Sequence, residues 1–429
     1  MKKSELIILL LFIVLSITAC SNKEADVTPT TTAIAIRPTS TATAVPPQIT
    51  TSEPPTVTAV PSVTPIPSTP TPAFPIYEGA PLDPAKMGIQ LHLRDENQEE
   101  IFAHLQDLGF GWVKVQISWK LYEPYAGEYH AERFAELDRF VETAVAHNIN
   151  VLLGVSKAPE WSRPTTEMDG PPNDFALYQQ FMAYLANRYQ GKVAAYELWN
   201  EPNLQREWNG FTLSGAELTN LIRYGAAGVR QHDTGAILVA GAPAVTGIDD
   251  RVNAIADRTF LREMVAAGVA DFVDAIGVHP YGHANPPDSN LANPDASVPS
   301  HNNHPTFFFA DTMADYRQIL NEANVTLPLW ATEFGWGSYD GFFDEAGSPI
   351  PPIAGVEYMG HVTEWQQAEY TARAFELAQR DNNNGPFFLW NLNFGPLLGT
   401  DFSEAGYSLL RPDGSRRPIF MTLKTAINQ

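Results

Sequence analysis

The chain is poor in cysteine and in positive charge. Its 429 residues include a single cysteine, Cys20, so no disulfide can form within the chain and its stability depends on an apolar core. Lysine and arginine number 27 against 49 aspartate and glutamate, a formal net charge of −22 that argues against nucleic acid and anionic lipid headgroups as partners. Residues 1–76 are electrically balanced, so the rest of the chain carries the whole excess. Such a surface tolerates a neutral substrate and repels a polyanion.

Long apolar runs are also scarce, and the N-terminal one is short. Lys2 and Lys3 precede an apolar stretch over residues 6–17, which is shorter than the roughly 20 residues a membrane-spanning helix needs. A charged start, a short apolar centre and small residues before a break are typical of a secretory signal. The end of the segment, Ile-Thr-Ala-Cys, resembles the lipobox of bacterial lipoproteins. That resemblance implies a signal peptide over residues 1–19 and lipidation of Cys20, with a plain signal or an uncleaved anchor as the alternatives.

Residues 20–76 are predicted to form a disordered tether. From Val27 to about Pro75 the sequence is dominated by Thr, Pro, Ser, Ala and Val. Proline fixes φ and removes backbone donors, and the segment has too few large apolar side chains to build a core. We therefore expect an exported protein, at the cell surface or membrane, in which this tether separates residues 77–429 from the lipid at Cys20, its only membrane contact.

From Tyr77 onward, short apolar runs alternate with segments of helical period. The strand candidates are Met87–Leu93, Trp112–Ile117, Asn150–Val155, Val193–Trp199, Ala236–Ala240, Ala275–His279, Pro328–Thr332 and Phe387–Asn391. The helix candidates are Gln98–Leu108, Ala131–His147, Asp174–Tyr189, Ser214–His232, Thr259–Ala267, Thr312–Ala323, Thr363–Arg380 and Pro418–Ile427. Eight strands, each followed by a helix, predict an α/β fold of the (β/α)₈ barrel type. An open doubly wound sheet is the alternative, but no GxGxxG follows the first strand.

Motifs for cofactor chemistry are missing as well. The chain has no glycine-rich phosphate loop and no GxSxG nucleophile elbow. His279, His283, His301 and His304 lie near one another in sequence but lack acidic ligands at metal-binding spacing, which favours ordinary loop histidines. We expect neither a cofactor nor a metal. The long connections Gly282–Asp311 and Gly337–His361 would instead wall a substrate cleft at the carboxyl ends of the strands.

The strand ends carry two carboxylates and several groups able to bind a substrate. Glu201 and Glu333 follow the fourth and seventh predicted strands, and strand ends converge on one mouth of a barrel. A lone glutamate at a strand end is most often solvated or in a salt bridge, but two in tryptophan-rich surroundings favour a catalytic pair. Other strand-end candidates are Asn200, His279, Tyr281 and Trp390, together with Trp119, Trp161 and Trp336, whose rings are either sugar platforms or core. Two opposed carboxylates with amides and aromatics suit glycoside hydrolysis.

Four short motifs carry a family resemblance. WNEP at 199–202 and TEFG at 332–335 resemble the retaining glycoside hydrolases of clan A, with families 39 and 5 (β-xylosidases, endoglucanases, mannanases and relatives) nearest. HPY at 279–281 and FLWNL at 388–392 extend the resemblance over residues 77–429. It implies cleavage of O-glycosidic bonds in a poly- or oligosaccharide of β-glucan, xylan, mannan or exopolysaccharide type. A catalytically inactive barrel that binds a surface polysaccharide is the alternative, although a binder needs neither glutamate.

The resemblance also implies roles for individual residues. Glu201 would be the acid/base and Glu333 the nucleophile, while Asn200 would bond the sugar 2-hydroxyl. His279 and Tyr281 would position Glu333 and the sugar ring, and Trp390 would floor the subsite before the cleaved bond. One departure is that relatives often carry an arginine in the second strand that bonds the nucleophile, whereas this chain offers Lys114 or Gln116. We also expect the negative charge of Glu333 to raise the pKa of Glu201, so that Glu201 carries a proton.

Overall fold

The computed structural model describes residues 77–93 and 98–428. The predicted signal peptide, Cys20 and the tether lie outside the described residues, and these predictions remain predictions. Within the described part of the chain, no helix combines the length and the apolar character required to cross a bilayer.

Eight parallel strands close into a barrel in chain order, which confirms the predicted (β/α)₈ architecture. They are β1 (Met87–Leu91), β2 (Trp112–Ser118), β3 (Asn150–Ser156), β4 (Ala195–Leu198), β5 (Ile237–Ala240), β6 (Ala275–Val278), β7 (Leu329–Phe334) and β8 (Asn384–Leu389). Closure is made by β8 against β1, where Phe388 lies in register with Gly88. Each predicted strand is present, and the bounds differ from the prediction by only a few residues.

One long helix follows each strand and packs outside the barrel, and shorter helices add Trp119–Tyr122 after β2 and Phe394–Leu398 and Glu404–Tyr407 after β8. The helices are α1 (Gln98–Leu108), α2 (Ala131–Ala146), α3 (Phe175–Arg188), α4 (Gly215–Arg230), α5 (Asp257–Ala266), α6 (Phe309–Glu322), α7 (Glu364–Arg380) and α8 (Pro418–Ile427). Side chains cap several N-termini: Asp174 accepts from the backbone of α3, Ser214 from that of α4, and Thr363 forms a capping box with Gln366 on α7. These caps explain why the helices begin where the polar residues precede an apolar period.

The interior of the barrel changes from apolar to charged along the strands. Its N-terminal end is filled by an apolar layer of Trp112, Leu152, Ala195, Val239, Ala275, Trp330 and Phe388. Side chains on one face of a strand recur every two residues, so the next interior positions of β2, β4 and β7 are Lys114, Glu197 and Thr332. This polar layer lies directly between the apolar layer and the mouth of the barrel.

Lys114 forms a buried ion pair in that layer. Its Nζ lies 2.8 Å from Glu197 Oε2, and both side chains are fully buried. Burial opposes the ammonium form, but the carboxylates of Glu197 and Glu333 raise the pKa of Lys114 above its usual value. Gly154 of β3 leaves room for the pair, since a Cβ there would lie 3.2 Å from both Glu197 Oε2 and Lys114 Cε. The barrel core therefore depends on a matched pair of buried charges.

Replacing only the cation should destabilise the barrel. Lys114→Met leaves Glu197 buried without its counter-ion, and breaking such a pair from one side costs about 3–5 kcal/mol of unfolding free energy. The double variant Lys114→Met/Glu197→Gln removes both charges and should recover a large part of that loss. Urea denaturation followed by tryptophan fluorescence measures the three proteins. A single variant as stable as the wild type would contradict the proposed importance of the buried pair.

Candidate active site

The fourth strand delivers Glu201 through a sharply bent backbone. Trp199 and Glu201 have φ angles of +86° and +45°, a left-handed region that non-glycine residues rarely occupy. Neighbouring contacts hold the bend: the Glu201 amide donates to Ala242 O at 2.9 Å, and the Trp199 indole donates to Glu207 O at 3.1 Å. Asn203 adds hydrogen bonds to Ala244 and Ile255 from its side chain. The segment after β4 is thus fixed by several independent contacts, which keep Glu201 at the mouth of the barrel.

The seventh strand delivers Glu333 where its pairing with β8 is irregular. The register between β7 and β8 shifts between Ala331 and Phe334, which alters the usual alternation of side chains. As a result, two consecutive residues reach the interior. Thr332 Oγ1 donates to Glu197 Oε1 at 2.6 Å, and Glu333 Oε1 lies 3.2 Å from Lys114 Nζ.

The barrel brings the two predicted carboxylates together. Oxygen atoms of Glu201 and Glu333 and a ring nitrogen of His279 all lie within 4.8 Å of one another. This spacing is short enough for a metal ion, but Lys114 and Arg206 already supply a positive charge to Glu333 and Glu201 respectively. We therefore interpret the three residues as a carboxylate pair with a hydrogen-bond donor and not as metal ligands.

Glu333 is held from two sides. Lys114 contacts Oε1, and the Tyr281 hydroxyl donates to Oε2 at 3.2 Å. The side chain is 11% exposed, so it faces the mouth while its contacts lie below the surface. The sequence left open whether Lys114 or Gln116 contacts Glu333. In the structure this contact is made by Lys114, and Gln116 instead donates to Ser156 Oγ at 3.0 Å.

Glu201 has a different set of neighbours, and they overturn the predicted direction of its pKa. His279 Nδ1 lies 3.2 Å from Oε1, and Arg206 Nη2 lies 2.9 Å from Oε2. Burial alone raises the pKa of a carboxyl, but the hydrogen bond from His279 and the charge of Arg206 lower the pKa of Glu201 to about 2. The expectation of a raised pKa was wrong because it counted only the repulsion from Glu333. Glu201 is a carboxylate in this structure.

His279 lies close to both carboxylates. Its Nδ1 also lies 4.0 Å from Glu333 Oε2. Burial opposes the imidazolium form, yet the Glu333 charge and the hydrogen bond to Glu201 raise the pKa of His279 above its usual value. Since an ionised carboxylate only accepts hydrogen bonds, Nδ1 carries the proton in this contact. The contact was expected to be with Glu333, and the structure gives the shorter one to Glu201.

Asn200 and Trp390 lie at the same mouth with polar atoms available. Within the described part of the chain, Asn200 Oδ1 and Trp390 Nε1 are buried without a hydrogen-bond partner. The Trp390 ring packs against Tyr281 and Tyr407, with centroids 6.3 and 5.3 Å apart. Buried polar atoms are normally satisfied, so these two are candidates for bonds to a bound molecule.

The remaining three tryptophans separate into surface and core. Trp161 is partly exposed and donates to Glu123 O at 3.1 Å, so part of its ring remains accessible. Trp119 is fully buried, stacks on Phe181 with centroids 5.0 Å apart and donates to Glu123 Oε2. Trp336 is 1% exposed. Trp119 and Trp336 are thus corrected from candidate sugar platforms to core residues, because neither ring has a free face to offer.

The two long connections pack on each other beside the mouth. His283 and His301 of the first connection stack with centroids 5.2 Å apart, and Tyr358 of the second lies 5.0 and 5.2 Å from them. Burial lowers the pKa of His283 to about 3, so this imidazole is neutral near physiological pH. The aromatic contacts stabilise the two connections against one another.

Sequence reasoning missed two charged residues of the site. Glu197 sits inside the apolar run of β4, where alternation marks it as interior but does not reveal a partner. Arg206 lies five positions after Glu201, on the turn Gln205–Glu207. The sequence does place an arginine close to a strand-end glutamate. Whether the arginine side chain points toward Glu201, however, depends on how that turn folds.

Comparisons with known proteins give a family and several similar folds. The family model for cellulases of glycosyl hydrolase family 5 matches residues 77–393. A family 39 glycoside hydrolase from Bacteroides cellulosilyticus WH2 has a TM-score of 0.60 at 21% identity, over 80% of this chain and 63% of that one. An exo-β-1,4-mannosidase from Opitutaceae bacterium strain TAV5 has a TM-score of 0.53 at 15% identity, over 80% of this chain and 59% of that one.

A third similar structure is a triple variant of an endo-β-1,4-glucanase from Xanthomonas axonopodis pv. citri. Its TM-score is 0.53 at 14% identity, over 80% of this chain and 99% of that one. At such identities the structures share the barrel fold alone, and this chain spans less than two thirds of the family 39 enzyme and of the mannosidase. No curated protein sequence matches the chain. The family model covers residues 77–393, well over half of the sequence, and the chain therefore belongs to the cellulase family, glycosyl hydrolase family 5.

Proposed function

We propose that the chain is a retaining glycoside hydrolase that cleaves O-glycosidic bonds of a poly- or oligosaccharide by double displacement. The observation that carries the proposal is the close approach of the two carboxylates, since one oxygen of Glu201 lies within 4.8 Å of one oxygen of Glu333. Retaining enzymes hold their carboxyl groups about 5–5.5 Å apart, whereas inverting enzymes need about 6.5–9.5 Å to admit a water molecule. The spacing supports direct attack on the sugar.

Glu333 is the proposed nucleophile. The Lys114 ammonium lies 3.2 Å from one oxygen and the Tyr281 hydroxyl donates to the other at 3.2 Å, so both oxygens are held in place. In the first step a Glu333 oxygen bonds to the anomeric carbon as the glycosidic C–O bond breaks, giving a glycosyl ester. Lys114 keeps Glu197 as a counter-ion when the charge of Glu333 disappears in that ester.

Glu201 is the proposed acid/base. It gives a proton to the leaving oxygen in the first step and, as a carboxylate, takes a proton from the attacking water in the second. That water bonds to the anomeric carbon, and the ester electrons return to Glu333. The sugar leaves with its original anomeric configuration because the carbon is inverted twice.

The surrounding groups are proposed to bind the sugar. Asn200 Oδ1, buried without a partner in the described structure, is available to the 2-hydroxyl. Trp390 floors the ring, and the accessible ring of Trp161 offers a platform further along the cleft. The related structures include enzymes named for β-1,4-glucan and β-1,4-mannoside substrates, which supports a neutral β-linked glucan, xylan, mannan or exopolysaccharide here. A panel of such polysaccharides and their aryl glycosides identifies the sugar.

Removing the nucleophile should abolish hydrolysis and create an azide-dependent reaction. Glu333→Ala should lower kcat on the best substrate by about 10³-fold or more, because the ester can no longer form. Added azide should then give a glycosyl azide of inverted configuration, detected by NMR. Glu369→Ala, on the exposed side of α7, is the matched control and should keep wild-type activity. Undiminished hydrolysis by Glu333→Ala, or polysaccharide binding without hydrolysis by the wild type, would refute the proposed function.

Removing the acid/base should separate substrates by their leaving groups. Glu201→Ala should lose about 10²–10⁴-fold in kcat/KM on an unactivated glycoside, where the leaving oxygen needs a proton. On a 2,4-dinitrophenyl glycoside of the same sugar the loss in kcat/KM should be small, since dinitrophenolate leaves without a proton. Steady-state kinetics on the two substrates measure the contrast. Equal losses on both would assign Glu201 a role other than proton transfer.

We further propose that the protein is exported and anchored through a lipid on Cys20. Support comes from the charged, apolar and small-residue pattern of residues 1–20. In a bacterial host fed labelled palmitate, the wild type should carry label and sediment with membranes. Cys20→Ser should lose both properties, whereas Ser21→Ala should keep them. An unlabelled wild type in the soluble fraction would contradict the anchor.

A further inference from the structure

The pair between Arg206 and Glu201 does not suit a residue about to donate a proton. Arg206 Nη2 contacts one carboxylate oxygen at 2.9 Å, and His279 Nδ1 contacts the other at 3.2 Å. Both oxygens therefore face donors. A group that protonates a leaving oxygen needs a proton on one oxygen and a clear path to the sugar, and an adjacent cation favours the opposite state.

The backbone that carries Arg206 is fixed, while its side chain reaches the mouth. The Gln205 amide donates to Asn253 O at 2.9 Å, and the Trp199 indole donates to Glu207 O. The Arg206 and Glu201 side chains are 20% and 16% exposed, in contrast to the fully buried Lys114. An arginine side chain is long and has several rotatable bonds, so its guanidinium can change direction while the backbone of the turn stays in place. Because it contacts the residue that serves the leaving oxygen, it borders the subsite of the leaving sugar.

We propose that Arg206 is a positioning residue for the acid/base: it pairs with the Glu201 carboxylate while the leaving-group subsite is empty, and releases it when a sugar unit occupies that subsite. This inference rests on the proposed retaining function. Through Arg206, the occupancy of the leaving-group subsite determines whether Glu201 carries a proton.

The ion pair between Arg206 and Glu201 is then broken in the first half-reaction and formed in the second. With the subsite filled, Glu201 takes a proton from solvent and passes it to the leaving oxygen as the glycosidic bond breaks and the Glu333 ester forms. When the leaving sugar departs with that proton, Arg206 pairs again with the carboxylate. Glu201 is thereby ionised when water attacks, and it receives the proton of that water as the ester bond breaks.

Several other charged groups surround this ion pair, and a test must distinguish their effects on the pKa of Glu201 from the effect of Arg206. They are Glu207 on the same turn, Lys157 after β3, Asp169 before α3, His279 after β6, Glu333 in β7 and Lys114 in β2. Lys157 lies 3.2 Å from Asp169 and 3.8 Å from Glu207, and Lys120 also pairs with Asp169, so two cations face two carboxylates. Burial raises the pKa of Glu207 to about 6 even though Lys157 and Arg206 oppose it. Glu207 is therefore the neighbour most able to imitate Glu201 in a pH profile.

The test is the pH dependence of two rates in Arg206→Gln. With a dinitrophenyl glycoside, breakdown of the ester limits kcat. The acidic limb of the pH profile of kcat therefore marks protonation of the base, Glu201. With an unactivated glycoside, the alkaline limb of kcat/KM marks loss of the acid's proton. Removing the cation raises the pKa of Glu201, so both limbs should move upward by about 1 pH unit or more, since a nearby opposite charge shifts a pKa by ~1–3 units. Arg206→Lys should restore the wild-type limbs.

Two controls identify the cause of a shift. Arg380→Gln removes an exposed arginine of α7 that pairs with Glu376, and its limbs should match the wild type. Glu207→Gln should leave the limbs in place if they follow Glu201. Limbs that stay fixed in Arg206→Gln, or that move only in Glu207→Gln, would overturn the inference.

Two further measurements distinguish a folding defect of the variant, and a failure of the proposed function, from a failure of the role of Arg206. If Arg206→Gln fails to fold by circular dichroism, the wild type still decides: its acidic limb on the dinitrophenyl glycoside should lie well below pH 4.5, the ordinary glutamate value. A limb at or above that value would overturn the role of Arg206. Full activity of Glu333→Ala would instead overturn the retaining function itself, whatever the behaviour of Arg206.

Discussion

The buried charge of Lys114 is the constraint on which the barrel interior and its mouth both depend. The ammonium is fully buried and lies within salt-bridge distance of Glu197 in β4 and Glu333 in β7. A charge in a low-dielectric interior is costly unless it is paired, so the three residues must be placed together. Lys114 reaches β4 across Gly154, which lies in register with Glu197 and contributes no side chain to the space between them. A one-residue slip of any of these strands would turn a charged side chain outward, so the ion pair also fixes the register.

The same constraint explains how two carboxylates can approach within 4.8 Å. Two like charges so close would force a proton onto one of them, and that argument led to the expected rise in the pKa of Glu201. In the structure each carboxylate has its own cation, Lys114 for Glu333 and Arg206 for Glu201. The repulsion between the carboxylates is thereby outweighed, and the pKa of Glu201 falls.

The barrel and its two central carboxylates were predictable from sequence, because both follow from local pattern. Apolar runs of four to seven residues separated by helical periods define the strands, and a strand end in a parallel barrel has only one mouth to face. The directions of side chains beyond the strands were not predictable. Trp119 follows β2 directly but begins a short helical turn that carries its ring onto Phe181 of α3. Its residue type is equally suited to a sugar platform, and only the packing of α3 decides between the two. The partner of Glu197 was equally hidden, since Lys114 is 83 positions earlier in a strand that is not its neighbour.

The two cations of the site differ in burial, and that difference fits the two kinds of charge change that the proposed mechanism demands. In the proposed mechanism the charge of Glu333 disappears when the ester forms and returns when the ester breaks, while Lys114 stays in the core beside Glu197. Glu201 must gain and lose a proton in every cycle, so a permanent counter-ion would oppose half of the reaction. Arg206 is the partly exposed one, on a fixed turn with a long flexible side chain. A fully buried lysine beneath the proposed nucleophile and a more exposed arginine beside the proposed acid/base therefore give the two glutamates different surroundings, although both glutamates sit at strand ends of one barrel.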